Sequence, residues 1–367
     1  MSSKEEPKEF SFSQKFHVFG TGKVGKEVVE SLKADYSEKL PIKQFECFDH
    51  EVPDPSQPYV DKFGHPPISP KKDEEVEEEE AQKSWAARLK ERIFGKKEAP
   101  TDEQETAPID EPDQEDPEYK EKMEAYEVQE KYHSCLAEAV EGYKNEDVLM
   151  LFTSIEDDQG FRNAQDLSTT ARENGAFTIV VVFMPLKVNE AKDIDPWDKM
   201  MQQLRLKADV VFVLPNFLLL QLKGVYGFIN ELLELVAQSG IVNLDLADVK
   251  VITKGGNVGV VGIGVSKPMD EDMRVKEAFR RALKHPLFRI DILSANKLLV
   301  NVFGDDTMSL KEAEAVAEEV QALVRQKTRI IWGATVGEQY KKQIKIFLMV
   351  GVKPREVLVH LYANSGR

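Results

Sequence analysis

The chain is poor in cysteine and has no long apolar run. Only Cys47 and Cys135 occur among 367 residues, one in a predicted strand and one in a predicted helix, which argues against a disulfide framework. The longest apolar runs, such as FTIVVVFMPL from Phe177, are about half as long as a membrane span requires. The start MSSKEEPKEF also lacks the apolar core of a signal peptide. We therefore expect a soluble, cytoplasmic protein.

Basic charge is scarce as well. Asp and Glu outnumber Lys and Arg by 65 to 49, which gives a formal net charge of −16. Between Glu51 and Glu118, twenty-one acidic residues face nine basic ones, so this segment alone carries −12. The remaining chain has no concentrated basic face of the kind that DNA or RNA binding requires, and its six histidines lack metal-ligand spacing. We expect neither a nucleic-acid partner nor a metal.

Strands and helices alternate in the first part of the chain. The segment KFHVFGTGKVGKEVVESLKAD combines an apolar run, a glycine turn with Gly20, Gly22 and Gly25, and an amphipathic helix. Near-continuous apolar strands follow as DVLMLFTS, FTIVVVFMP and ADVVFVLPN, with the predicted helix NAQDLSTTARENG between the first two. Such runs are typical of parallel strands that are covered on both faces. The pattern predicts an α/β fold with a doubly wound, mostly parallel sheet over residues 15–223.

The later part of the chain has a different pattern. GVYGFINELLELVAQSG predicts a long central helix, which together with the loop GIVNLDLADVK occupies residues 224–248. Mixed strands and two helices then predict a smaller α+β domain over residues 249–353, followed by a tail over 354–367. Residues 1–14 are expected to be disordered.

An acidic insert interrupts the first domain at residues 52–117. It is rich in Pro, Glu and Asp, and we expect it to be mostly disordered because it cannot bury enough apolar surface to offset its ordering entropy. Within it, AQKSWAARLKERIFGKK at 81–97 predicts a basic amphipathic helix with Trp85, Leu89, Ile93 and Phe94 on one face. Two interpretations stay open, namely peripheral contact with an anionic membrane and docking on acidic residues or on a groove of an adaptor protein.

Several of these segments resemble FtsZ and, more remotely, tubulin, over about three quarters of the chain. The strongest match is GIVNLDLADVK, which is similar to the synergy loop of FtsZ, with its N-x-D-x-x-D spacing reproduced by Asn243, Asp245 and Asp248. Supporting matches are LPN at 214–216, NGAFTIVVVFMP, and HPLF at 285–288. The resemblance implies a GTPase-like first domain and a filament in which this loop enters the nucleotide pocket of the next subunit. There its carboxylates help position the water that attacks the γ-phosphate. Taken alone, Asp245 and Asp248 also fit a turn that follows a helix.

The phosphate-binding segments depart from that resemblance. In FtsZ the strand equivalent to DVLMLFTS runs into the loop GGGTGTG, and a count without gaps places EDDQGFR at 156–162 there, with six of seven positions changed. Glycine serves in that loop because bare backbone amides must approach the anion closely, and Glu156, Asp157 and Asp158 invert the potential that those amides create. The glycine turn also has Lys23 and Lys26 where the family usually has Gly. The residues that remain for a residual nucleotide pocket are Gly20, Gly22, Lys23, Gly25, Lys26 and Asn216.

These departures predict weak or absent GTP binding, no other cofactor, and impaired GTP hydrolysis. We expect a filament-associated paralogue that offers Asp245 and Asp248 to the nucleotide of a separate GTP-binding FtsZ relative, in cell division, shape or membrane remodelling. Filaments of this chain alone would bring its acidic loops together, and like charges repel. Two alternatives remain: an FtsZ-family polymer that binds and hydrolyses GTP, and a dinucleotide-binding enzyme, since GTGKVG followed by Asp49 also fits that fingerprint.

Overall fold

The computed structural model describes residues 15–38, 40–53, 117–144, 147–185, 191–216, 222–237, 241–255, 257–267, 271–284 and 292–363. The N-terminal segment 1–14, nearly all of the acidic insert and the HPLF segment lie outside the described residues. The predicted helix at 81–97, with Trp85, Leu89, Ile93 and Phe94, lies outside them too. The chain divides into two compact units, His50–Tyr143 and the combined ranges Met1–Asp49 and Lys144–Arg367.

Nine strands are present among the described residues. They are β1 (Phe16–Thr21), β2 (Ile42–Phe48), β3 (Val148–Ser154), β4 (Phe177–Met184), β5 (Val210–Pro215), β6 (Val258–Val265), β7 (Lys297–Gly304), β8 (Arg329–Val336) and β9 (Lys345–Val352).

Nine α-helices accompany them in the described part of the chain. They are α1 (Gly22–Tyr36), α2 (Pro117–Ala139), α3 (Asp158–Glu173), α4 (Ile194–Lys207), α5 (Leu222–Ala237), α6 (Leu246–Thr253), α7 (Glu271–Leu283), α8 (Leu310–Leu323) and α9 (Pro354–Ala363). Helix α2 lies in the unit His50–Tyr143, and the other eight belong to the larger unit.

All nine strands form one sheet in the order β2-β1-β3-β4-β5-β6-β9-β7-β8. The pairs from β2 to β5 are parallel, whereas β9 runs antiparallel to both β6 and β7. The parallel and mixed parts meet where β5 pairs with β6, with Phe212 opposite Gly259. The predicted fold class is confirmed: a mostly parallel, doubly wound α/β sheet precedes a smaller region of mixed strands and helices.

The apolar strand sequences explain why this sheet is buried. Every residue of β3, VLMLFTS, and of β9, KIFLMVGV, is buried, as expected for strands that are covered on both faces. The hydrophobic core is continuous across both parts of the sheet, because Phe228, Ile229 and Leu232 of α5 belong to the same cluster as Phe212 of β5 and Phe347 of β9. The predicted central helix is therefore a packing element that both halves share.

A buried ion cluster also links α5 to the C-terminal strands. The Lys345 ammonium lies 2.5 Å from carboxylate oxygens of both Glu231 and Glu234. Tyr340 donates a hydrogen bond of 3.1 Å to Glu234, and the Lys345 charge sits 4.5 Å from the centre of the Phe303 ring. Glu234 is fully buried, so its charge is stabilised by these neighbours rather than by water.

Candidate functional site

Strand order places a crevice between β1 and β3. In the order β2-β1-β3-β4-β5 the direction of winding reverses at this pair, and ligands of open α/β sheets bind outside the carboxyl ends of the strands at such a reversal. Strand β1 ends at Thr21 and β3 ends at Ser154. The glycine turn and the acidic stretch that begins at Glu156 therefore meet in this crevice.

Three glycines bring α1 close to the ends of the strands. Gly22 has φ +65, a left-handed conformation that favours glycine, and a Cβ atom there would lie 2.2 Å from Asp157 Oδ2. A Cβ on Gly20 would lie 2.1 Å from the Gly25 carbonyl oxygen, and one on Gly25 would lie 2.0 Å from the Phe152 carbonyl oxygen. The predicted strand, glycine turn and helix are all present, and side chains at these positions would push the helix away.

The acidic stretch is the start of a helix. We expected a loop at 156–162 and a helix from Asn163, but α3 already begins at Asp158, so five of those seven residues are helical. That expectation was wrong because the side chain of Asp157 caps a helix at a position where the relative has a glycine-rich loop. Asp157 is the N-cap residue, and an Asp that precedes a helical pattern was the available signal. Gly160 packs against the glycine turn, since a Cβ atom on it would lie 2.6 Å from Gly22 Cα.

The Asp157 carboxylate joins the starts of two helices. Its Oδ1 accepts a hydrogen bond of 2.8 Å from the Gly160 amide in the first turn of α3. Its Oδ2 accepts one of 3.0 Å from the Lys23 amide in the first turn of α1. Free amides at helix starts, reinforced by the helix dipole, favour an anion, and in this structure the anion is the chain's own carboxylate.

Of the other predicted pocket residues, Asn216 and Lys23 lie near this carboxylate, and Lys26 is the exception. Asn216, which follows β5, donates a hydrogen bond of 3.4 Å to Glu156, so it joins the crevice. Lys23 contributes its backbone amide while its side chain is exposed. Lys26 is also exposed and faces Cys47 near the end of β2. Burial raises the pKa of the Cys47 thiol, the charge of Glu30 adds to that rise, and Lys26 opposes it.

The predicted synergy-loop residues lie at the start of helix α6. Asp245 is its N-cap and accepts a hydrogen bond of 2.9 Å from the Asp248 amide. Asp248 in turn accepts one of 3.2 Å from the Asp245 amide, which completes a reciprocal capping box. The local hydrogen bonding expected for a turn is therefore present. Asn243 and Asp245 are nevertheless exposed to solvent.

Two contacts with β8 fix the orientation of this loop. Val242 pairs with Ala334 of β8 through two backbone hydrogen bonds of 3.0 and 3.2 Å. Leu244 is buried against Gly333, where a Cβ atom would lie 2.6 Å from Leu244 Cγ. Because Leu244 points into the protein, its neighbours Asn243 and Asp245 point outwards.

The described ranges contain no candidate metal site and no candidate membrane span. No group of three His, Cys, Asp or Glu residues there could hold a metal ion. None of the described helices combines the length and the apolar character that crossing a bilayer demands.

The chain is similar in sequence to known proteins. Residues 257–353 match the model of the FtsZ family C-terminal domain. The chain is similar to the cell division protein FtsZ of Haloferax mediterranei, with 32% identity over 62% of each chain. It is also similar to the cell division protein FtsZ 1 of Archaeoglobus fulgidus, with 32% identity over 52% of this chain and 55% of the relative. These matches span less than two thirds of the length of the curated relatives.

Solved structures show the same fold. An FtsZ dimer from M. jannaschii matches with a TM-score of 0.54 and 19% identity, over 93% of this chain and 88% of that one. CetZ from Methanosaeta thermophila matches with a TM-score of 0.55 and 12% identity, over 96% and 90% of the two chains. The fold is thus that of the FtsZ/tubulin superfamily. Within that class, the chain is a divergent FtsZ-like protein.

Proposed function

We propose that this FtsZ-like cytoskeletal protein acts as a filament-associated paralogue. Its own nucleotide crevice does not hold GTP, and its synergy loop serves a separate, GTP-binding FtsZ relative during cell division, shape control or membrane remodelling. Asp245 and Asp248 act on the nucleotide of that neighbour. In this role the synergy loop is functional, and the nucleotide crevice of the same chain stays without a nucleotide.

The observation that carries this proposal is the Asp157 carboxylate between α1 and α3. A phosphate could use the Lys23 and Gly160 amides only after this carboxylate had left them. Hydrogen bonds to charged groups contribute about 1.5–3 kcal/mol each, so displacement costs roughly 3 kcal/mol or more. An energy of that size weakens affinity by about two orders of magnitude. The displaced carboxylate would also repel the phosphate from close range.

The neighbouring acidic residues support the same conclusion. Glu156 and Asp158 flank Asp157 in the sequence, and both side chains are exposed. A polyphosphate that entered would therefore meet three carboxylates before it reached any amide. The two amides that could offset these charges, those of Lys23 and Gly160, already bind Asp157.

The geometry of the synergy loop supports the second half of the proposal. The capping box uses one oxygen of Asp245 and one of Asp248. Asp245 Oδ2 and Asp248 Oδ1 accept no hydrogen bond within the described part of the chain. Because the cap fixes each side chain, these oxygens are held ready for a water or an amide on a neighbouring subunit.

Calorimetric titration of GTP, GDP and NAD into the purified protein tests whether the crevice binds a nucleotide. We expect no heat of binding at micromolar concentrations for any of the three nucleotides. Micromolar binding of GTP together with turnover by the protein alone would contradict the proposal and favour the GTP-hydrolysing polymer. Binding of NAD without GTP would favour the dinucleotide-dependent enzyme.

A further inference from the structure

A second surface feature lies at the amino ends of the parallel strands, opposite the crevice. A groove of about 990 Å³ opens beside Asp209, which immediately precedes β5, and beside the ends of α3, α4 and α6. We call it the basic groove, because six cationic side chains line it: Arg172, Arg205, Lys250, Lys254, Lys353 and Arg355. Among the described lining residues, three carry carboxylates: Asp198, Asp209 and Glu356.

Three of the six cations are paired within the fold. Lys250 lies 2.5 Å and Arg172 lies 3.5 Å from the same oxygen of Asp209. Arg355 lies 2.5 Å from Asp195, an exposed residue of α4. These pairs account for Arg172, Lys250 and Arg355 as structural cations, and they leave the other three for a separate explanation.

Two of these three, Lys254 and Lys353, belong to a cluster of like charge with Lys297 and Arg329. The Lys297 ammonium donates to the carbonyl oxygens of Val251 and Lys254, and Lys353 donates to that of Gly255, so both lysines cap the end of α6. Burial lowers the pKa of Lys297, and the charges of Arg329, Lys254 and Lys353 lower it further. Helix capping explains two of these cations. It does not explain why Lys254 and Arg329, both exposed, stand beside them.

Two buried polar atoms in the basic groove have no partner among the described residues. They are Nε of Arg205 and Oδ1 of Asp198. A buried donor or acceptor without a partner is costly, and native proteins satisfy nearly all such groups. Arg205 therefore has an unused donor in the groove, although the charge of Asp198 acts on its guanidinium group. Lys254 lines the same groove.

Apolar side chains flank these cations. Leu206 is 75% exposed and Val359 is 45% exposed, and both line the basic groove. No aromatic side chain appears in the described lining, so a nucleobase would find no stacking platform there. The surface thus combines positive charge with exposed aliphatic groups.

We propose that the basic groove binds an acidic peptide segment of a partner protein. Carboxylates of the peptide pair with Arg205 and Lys254, and an aliphatic side chain packs against Leu206 and Val359. The groove is independent of Asp157 and of the synergy loop, so this proposal stands whether or not the protein associates with an FtsZ filament.

Fluorescence anisotropy of a short labelled peptide of alternating Glu and Leu tests this binding with the full-length protein. We expect Lys254→Glu to weaken binding by about tenfold, because an attractive charge pair becomes a repulsive one. Lys276→Glu is the matched control, since it makes the same charge change at a side chain that is 64% exposed on α7, outside the groove. Arg205→Gln is a second variant that tests the buried donor, and a circular dichroism melt checks the fold of each.

Three results would overturn the proposal. One is equal affinity of the wild type, Lys254→Glu and Arg205→Gln for the peptide. Another is equal affinity of the wild type for a peptide in which Lys replaces Glu. The third is tighter, groove-dependent binding of an oligothymidylate or of inorganic tripolyphosphate, which would assign the groove to nucleic acid or to a small anion instead.

Discussion

Asp157 uses each of its two carboxylate oxygens for a different helix. One bond is a local cap that spans three residues, and the other joins residues 134 positions apart. The local cap is predictable from the sequence, since Asp before a helical pattern is a common N-cap. The bond to the Lys23 amide is not, because it depends on β1 and β3 being neighbours in the sheet.

Replacement of Asp157 by Ala should lower the free energy of unfolding by about 2–3 kcal/mol, since it removes both a helix cap and a charge-assisted bond between helices. Asp158→Ala removes an exposed carboxylate one position later and should cost about 1 kcal/mol or less. Urea denaturation measures both. Equal losses for the two variants would mean that Asp157 does not bridge the helices.

The pKa of Asp305 predicts how the stability of the protein depends on pH. Burial raises the pKa of this carboxyl group, but hydrogen bonds from Thr307 and from the Lys342 amide, with the charge of Arg274, hold the pKa below its usual range. A depressed pKa means that the carboxylate contributes stability above its unfolded value of about 4, and that this contribution is lost as the pH falls through the folded value.

Asp305→Asn should therefore destabilise the protein near neutral pH and flatten the loss of stability in acid. Thermal melts between neutral pH and about pH 3 test this expectation. The neighbouring exposed residue provides the comparison, since Asp306→Asn should retain the acid dependence of the wild type. A wild-type profile in Asp305→Asn would assign the acid sensitivity to other groups.

At the scale of elements, α5 connects the two parts of the sheet. Its apolar face was predictable from helical periodicity, and the helix is present at Leu222–Ala237. The sequence could not indicate that Glu231 and Glu234 on this helix would meet Lys345, which lies 111 residues beyond Glu234. Such a pairing depends on the position of β9 between β6 and β7.

Lys345→Met should lower the free energy of unfolding by about 3 kcal/mol, because it leaves two shielded carboxylates without their cation. Adding Glu234→Gln should recover part of the lost stability, because it removes the more deeply buried of the two carboxylate charges. Lys276→Met makes the same substitution in an exposed pair with Glu319 and should cost about 1 kcal/mol or less. A similar cost in both lysine variants would show that the buried cluster contributes no more than a surface pair.

At the scale of the whole molecule, the protein should depend on a partner for filament formation. We expect it to sediment with a GTP-binding FtsZ relative in the presence of GTP, and to remain in the supernatant alone. Its addition should also change the GTP turnover of that relative through Asp245 and Asp248. The double variant Asp245→Asn, Asp248→Asn should lose the effect on turnover, because Asn keeps the ability to cap α6 and removes the charge.

The matched control for that assay is Asp306→Asn, which removes an exposed charge away from the synergy loop. It should alter turnover as the wild-type protein does. Robust GTP-dependent sedimentation of the protein alone would contradict dependence on a partner, and so would unchanged turnover on addition of the wild-type protein.

The strands and helices of this protein, and the resemblance of its parts to FtsZ, can be read from local sequence patterns. Apolar periodicity, the glycine turn and the N-x-D-x-x-D spacing are local patterns, and the physical rules that link them to strands, turns and caps act over a few residues. The group that occupies the crevice depends on the folded chain, because the Lys23 amide and Asp157 approach each other only through the pairing of β1 with β3. Tertiary structure also decided the buried Lys345 cluster and the basic groove. Their members come from distant segments, and each side chain looks like an ordinary surface charge in the sequence.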